Sequence, residues 1–234
     1  MLLLYALHIP DFINSDMFQK FLYIVSEERQ RRIQSFRNIE DKISILLAEI
    51  LIRYILENIF LLPANKLSFQ YNEYGKPSIK DMDGLFFNWS HSGNWIVCGI
   101  GDAEIGIDIE KHKVIGVDIA KHCFSKEENN AILVAHPQNR LKLFYDFWTL
   151  KESYIKAIGK GLNISLKSFY FKLRGESIDL YIDNKLCKDY YFKKFEVDAF
   201  YSVSVCWQGD EFDLLKAQFE EINLQDLWTY EYKK

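Results

Sequence analysis

Two segments of this chain constrain its fold and its chemistry together. In Ile105-Gly106-Ile107-Asp108-Ile109-Glu110 three isoleucines alternate with a glycine and two carboxylates. Strict alternation is the period of a half-buried strand, so the isoleucines take one face while Asp108 and Glu110 take the other. In Trp148-Thr149-Leu150-Lys151-Glu152-Ser153-Tyr154-Ile155-Lys156, a run ended by Gly159 and Gly161, the residues Trp148, Glu152 and Lys156 fall at i, i+4 and i+8 of one helical face. If the strand and helix meet, Asp108, Glu110 and Glu152 converge beside Lys156. Three close carboxylates repel one another unless a cation lies between them, and a hard divalent ion such as Mg²⁺ suits such an oxygen set. Each piece also has a plainer reading. Asp108 and Glu110 can be the wet face of a strand, and Glu152 with Lys156 can be a helix-supporting pair worth roughly 0.2–0.5 kcal/mol. Gly106 favours the functional reading, because glycine inside a strand marks a close approach, often by a ligand.

The rest of the chain bounds the setting. Of 234 residues 49% are hydrophobic and 16% aromatic, enough for a large core and against disorder. A net charge of −4 argues against a nucleic-acid binder, which needs a broad basic surface. Cys98, Cys123, Cys187 and Cys206 show no CxxC pair and no zinc spacing; Cys98 and Cys206 sit in apolar runs and read as buried thiols of a reducing cytoplasm. The apolar segment 43–62 carries Glu49, Arg53 and Glu57 as a polar stripe at helical spacing. That pattern predicts an amphipathic helix and no membrane span.

Periodicity predicts a strand over 1–9, helices over 15–24, 26–37 and 40–60, and short strands near 67–71 and 77–80. A hairpin of 85–90 and 95–100 follows, turning at Ser92-Gly93-Asn94. The second half reads as a strand at 104–110, helices near 118–123, 126–134 and 139–158, and strands near 168–173, 177–182, 190–197 and 200–207. Each half runs strand, helices, then antiparallel strands. The expectation is an α+β protein of two similar lobes related by a pseudo-two-fold axis, 1–103 and 104–234, each a small antiparallel sheet packed with helices. Residues 211–234 show no clear period.

Smaller motifs have two readings each. Phe87-Asn88-Trp89-Ser90-His91-Ser92 sets a histidine between two hydroxyls at the mouth of a hairpin, either an ordinary turn or a phosphate contact by an imidazolium and serine hydroxyls. Lys76, in the turn Glu73-Tyr74-Gly75-Lys76-Pro77, reads alone as an exposed lysine. Arg29, Arg31, Arg32 and Arg37 form the one dense basic cluster, a solvated helix face or a bidentate phosphate grip. Ser125 with Glu128 three residues on is a capping box, which accounts for Glu128 without catalysis.

Together, Tyr74-Gly75-Lys76-Pro77, Phe87–Ser92, Gly106–Glu110, Phe124-Ser125-Lys126-Glu127-Glu128 and Trp148–Lys156 resemble, in order and spacing, the 4′-phosphopantetheinyl transferases of the long, pseudo-dimeric Sfp type. The likeness spans roughly residues 1–207. It implies transfer of the 4′-phosphopantetheine arm of coenzyme A to a serine of an apo acyl or peptidyl carrier protein, releasing adenosine 3′,5′-bisphosphate. It further implies that Asp108, Glu110 and Glu152 hold Mg²⁺, that Glu152 takes the serine proton, and that Lys156 steadies the β-phosphate. By the same likeness His91, Ser90 and Arg29 or Arg32 bind the 3′-phosphate, and Lys76 sits near the diphosphate or adenine. A chain of this length would carry both lobes and act as a monomer.

Two departures stand out. Ser44 and Ile45 occupy places where the family often has arginine and a hydroxyl residue, which implies a weaker or a different hold on coenzyme A, and arginine replaces family lysines at 29 and 32. An acidic carrier would dock on Lys111, Lys113, Lys121 and Lys126 with Phe124 among them. A Mg²⁺-dependent phosphohydrolase would use the same carboxylates, but the second ligand cluster it needs is not evident. A non-catalytic binder would show a broken carboxylate set.

Overall fold

The computed structural model describes residues 1–62, 67–115 and 117–230. Along the chain run β1 (Leu2–His8), α1 (Ser15–Leu22), α2 (Glu27–Ser35), α3 (Ile39–Ile59), β2 (Phe69–Tyr71), β3 (Pro77–Ile79), β4 (Phe86–Ser92), β5 (Trp95–Gly101) and β6 (Ile105–Lys111). The second half contributes α4 (Val117–Cys123), α5 (Lys126–Val134), α6 (Arg140–Ile158), β7 (Phe169–Arg174), β8 (Ser177–Ile182), β9 (Lys185–Cys187), β10 (Tyr191–Phe195), β11 (Tyr201–Trp207), α7 (Glu211–Lys216), β12 (Phe219–Ile222) and α8 (Leu224–Thr229).

Four layers stack in the order α3, a sheet β12-β1-β5-β4, a sheet β10-β11-β6, and α6. Side-chain alternation builds the stack directly. In β1, Tyr5 and Leu7 pack toward α3, while Leu2, Leu4 and Ala6 pack toward the second sheet. In β6, Ile105, Ile107 and Ile109 join that central layer with Val203, Val205 and Trp207 of β11. The opposite face of β6 is left to Gly106, Asp108 and Glu110, against α6. Each lobe is thus a long helix on a small sheet, and the sheets meet back to back, as an α+β fold of two lobes requires.

Several elements differ from expectation. Residues 219–222 form a strand parallel to β1, so the first sheet is not wholly antiparallel. This strand covers the edge of β1 that β5 leaves open. The hairpin stays paired through Ser92 and Trp95, with only Gly93 and Asn94 in its turn. His91 therefore lies within β4, opposite Ile96. Gly93 takes φ +54, and a Cβ there would lie 2.5 Å from the Tyr201 hydroxyl. The polar stripe of α3 is buried and does not face water. Glu49 accepts from Arg29 Nε at 2.7 Å and from Arg53 at 2.9 Å, and Tyr230 reaches Glu57. Among the described residues no helix is long and apolar enough to cross a membrane. All four cysteines are free, and burial pushes the Cys98 and Cys206 thiols well up.

Gly106 does mark a close approach, but by the backbone of α6 and not by a ligand. A Cβ there would meet Ser153 O at 1.9 Å and Ala157 N at 2.4 Å. Gly106→Ala should therefore push α6 off β6 and cost about 3 kcal/mol, the upper end of ordinary overpacking. Denaturant unfolding of the variant checks this; a midpoint equal to that of the parent would show that the helix yields freely.

Candidate active site

The site forms along the seam where the edges of the two sheets run side by side. Three alternate residues of β4 bond to β6. Asn88 Oδ1 accepts from Ile107 N at 2.9 Å, Ser90 Oγ donates to Asp108 Oδ1 at 2.9 Å, and Ser92 Oγ donates to Glu110 Oε2 at 2.9 Å. β4 thereby orients both carboxylates of β6. From the other side α6 brings Glu152 and Lys156. Lys156 Nζ lies 2.5 Å from Asp108 Oδ1 and 2.8 Å from Ser90 Oγ, and also donates to Ile107 O at 3.2 Å. Asp108, Glu110, Glu152, Lys156, Ser90, His91, Trp89 and Trp148 line one open pocket of about 420 Å³.

α6 is anchored from behind. Lys151 and Glu128 are fully buried and paired at 3.0 Å; Lys151 also donates to Leu166 O and Phe169 O, each at 2.7 Å. Glu128 closes the expected capping box with Ser125 and accepts in addition from Phe171 N at 2.9 Å. Removing either member of such a pair strands a buried charge. The lysine next to Glu152 in sequence is thus structural. Its spacing on the apolar side of α6, one residue from the functional face, is the only trace of this in the sequence.

Crowding sets the electrostatics. Burial, reinforced by Asp108, raises the Glu152 carboxyl to about 7. Burial and Asp108 also raise Glu110, while bonds from Ser92 and Trp148 oppose the rise. Burial, helped by Lys156, lowers His91, so its ring is neutral at pH 7 and not the imidazolium expected. Asp108 is 3% exposed, and its Oδ2 is buried without a hydrogen-bond partner. As the side chains stand, no three His, Cys, Asp or Glu groups among the described residues are set to hold a metal ion. The Lys156 ammonium instead neutralises Asp108. The donor chemistry still fits a hard cation: three carboxylates share one pocket, one has an orphaned oxygen, and burial with mutual repulsion raises the other two, a cost that a cation would relieve.

The other predicted residues lie around an adjoining cleft of about 380 Å³. Its lining includes Glu152, Lys156, Lys76, Trp89, Tyr71, Ile45, Arg29 and Arg32. Arg29 is half committed, through its Nε, to Glu49, and Arg32 lies over the Tyr71 ring at 5.6 Å. Ile45 lines the cleft while Ser44 is buried. Ser90 faces the carboxylates, its hydroxyl engaged by Asp108 and Lys156. Lys76 is not exposed; its ammonium meets the Glu104 carboxylate and the carbonyls of Ile105 and Ala157. Phe124 is 1% exposed, so it is core and not a docking contact. Among the described residues, the large exposed apolar side chains of that region are Val114 and Ile119.

Residues 104–206 match the model of the 4′-phosphopantetheinyl transferase superfamily, and residues 14–100 match that of the 4′-phosphopantetheinyl transferase N-terminal region. Over 224 residues, 94% of this chain and 99% of the relative, it is 34% identical to the 4′-phosphopantetheinyl transferase Sfp of Bacillus subtilis (strain 168). The chain belongs to the 4′-phosphopantetheinyl transferase family. The transferase is also 37% identical, over 76% of its length and 74% of the relative, to the 4′-phosphopantetheinyl transferase gsp of Aneurinibacillus migulanus. It is 28% identical to the human L-aminoadipate-semialdehyde dehydrogenase-phosphopantetheinyl transferase, over 88% of this chain and 78% of that one.

The raised carboxyls of this transferase have a thermodynamic consequence. Glu152 keeps its proton to about pH 7 when folded but releases it near 4.5 when unfolded. Between those values the native state binds more protons, so stability falls as pH rises. With a chelator present, unfolding free energy should decline across this window, and Glu152→Gln should flatten the decline. Equal slopes in the two proteins would show that Glu152 is not the group responsible.

Proposed function

We propose that this transferase moves the 4′-phosphopantetheine arm of coenzyme A to a serine hydroxyl of an apo acyl or peptidyl carrier protein, with Mg²⁺, releasing adenosine 3′,5′-bisphosphate. The observation that carries the reading is a pair of adjoining pockets that share Trp89, Glu152 and Lys156, one lined also by Asp108 and Glu110 and the other by Arg29 and Arg32. A ligand bearing a diphosphate at one end and a further phosphate at the other suits it. Asp108, Glu110 and Glu152 would hold the ion, which supplies neutralisation of charge on the diphosphate and leaving group. Lys156, which in this structure neutralises Asp108, would then be available to a phosphate oxygen. Glu152, on the face of α6 that lines both pockets, accepts the proton of the incoming serine hydroxyl. The serine oxygen bonds to the phosphorus that carries pantetheine, and the bond from that phosphorus to the oxygen of the departing nucleotide breaks. Arg29 and Arg32 grip the distal 3′-phosphate, with the neutral His91 ring as a further donor near the reacting end.

Intact mass of an apo carrier protein, after incubation with this protein, coenzyme A and Mg²⁺, provides the test. The expected result is a gain of one phosphopantetheine group that EDTA abolishes and that Glu152→Gln slows roughly 100- to 10,000-fold. Persistence of the gain in EDTA would overturn the metal assignment, and free phosphopantetheine released without carrier would indicate a hydrolase.

For the carrier, Lys113 and Lys121 flank the exposed Val114 and Ile119, a mixed basic and apolar contact for an acidic partner. Lys113→Glu with Lys121→Glu should raise the carrier KM and spare coenzyme A affinity. An unchanged carrier KM would move the docking face elsewhere.

A further inference from the structure

The last turn of α6 leaves carbonyls that its own backbone cannot satisfy. Gly159 closes the helix at φ +72, its N–H bonded to Ile155 O at 2.9 Å. Two of the remaining carbonyls are taken by side chains from more than eighty residues earlier. Asn72 Nδ2 donates to Gly159 O at 2.7 Å, and Lys76 Nζ donates to Ala157 O at 2.6 Å. A cation at this end of a helix also complements the helix dipole. The approach depends on glycine, since a Cβ on residue 159 would lie 2.8 Å from Lys76 Cδ and 3.2 Å from Asn72 Nδ2.

The same two side chains shape the turn they come from. Asn72 Oδ1 accepts from Tyr74 N at 3.0 Å and from Lys76 N at 2.9 Å, while Asn72 N donates to Lys76 O at 3.0 Å. Lys76 Nζ further reaches Ile105 O at 3.3 Å, the first residue of β6. One ammonium therefore touches the end of the helix that carries Glu152 and the start of the strand that carries Asp108. The turn it belongs to forms a wall of the cleft through Tyr74, Gly75 and Pro77.

We propose that Asn72 and Lys76 are positioning residues which fasten the cleft-lining turn 72–77 to the β6–α6 joint, so that Lys76 serves by placing the turn and not by contacting phosphate. The inference rests on the proposed use of this cleft by coenzyme A. It is tested with Asn72→Ala and Lys76→Met by coenzyme A titration calorimetry without carrier, steady-state kinetics and amide exchange. Both variants should weaken coenzyme A binding by a similar factor, roughly tenfold, since a misplacement of about 1 Å can cost ~100-fold. In both, the coenzyme A KM should rise more than kcat falls, and the amides of Tyr74 and Lys76 should exchange faster. A loss confined to Lys76→Met would overturn the proposal in favour of direct phosphate contact. Lower melting temperatures with unchanged coenzyme A affinity would reduce both residues to general stability. Should the parent protein bind no coenzyme A, the reading of the cleft fails separately; the exchange rates then still decide whether the two side chains hold the turn.

Discussion

The site depends on three short hydrogen bonds across a seam between two sheets. β4 and β6 do not share a backbone ladder; they are joined by Asn88, Ser90 and Ser92, the alternate side chains of one strand, acting on Ile107, Asp108 and Glu110 of the other. Each such bond contributes only about 1 kcal/mol to stability. Their larger effect is geometric. They hold two like charges on one strand face, pointing at a helix whose backbone comes close enough to forbid a Cβ on Gly106. The raised carboxyls are the electrostatic result of that confinement, and the Lys156 ammonium partly offsets it.

Much of the scaffold was legible because it follows simple periods. Ile105, Ile107 and Ile109 marked β6 and its buried face, and Trp148, Glu152 and Lys156 marked the working face of α6. The convergence of Asp108, Glu110 and Glu152 followed from those two patterns once the elements met. What stayed hidden depends on partners distant in sequence. The stripe Glu49, Arg53, Glu57 has the spacing of a wet face, and partners distant from it, Arg29 of α2, Leu67 and Phe69 over Arg53, and Tyr230, cover it. Lys151 reads as an ordinary charged residue until Glu128 and two carbonyls close round it. Phe124 looked available among lysines, yet it fills the space beside Phe144 and Phe147.

Buried charge is spent on placement throughout. Glu49 braces Arg29, which lines the cleft; the Glu128–Lys151 pair ties α5 and the entry to β7 onto α6; Asp146 gathers Ser202, Lys142 and Lys194 at the opposite end of that helix. Such pairs are weak evidence of stability, because desolvation offsets much of their attraction. They are well suited to excluding alternative registers, since a shifted helix would leave a charge unpaired in the core.

The parallel pairing of β12 with β1 has a bearing on how the molecule is made. β1 is made long before its partner β12, so one of its two edges waits for residues 219–222. Until those residues emerge the first lobe can assemble α3, β4 and β5 around β1 and still present an unpaired strand edge to its surroundings. Closure arrives only after β6, α6 and β11 have emerged. The first lobe is therefore finished last, and a nascent chain released before that point would carry an intact set of site residues on a sheet still open to a neighbouring chain.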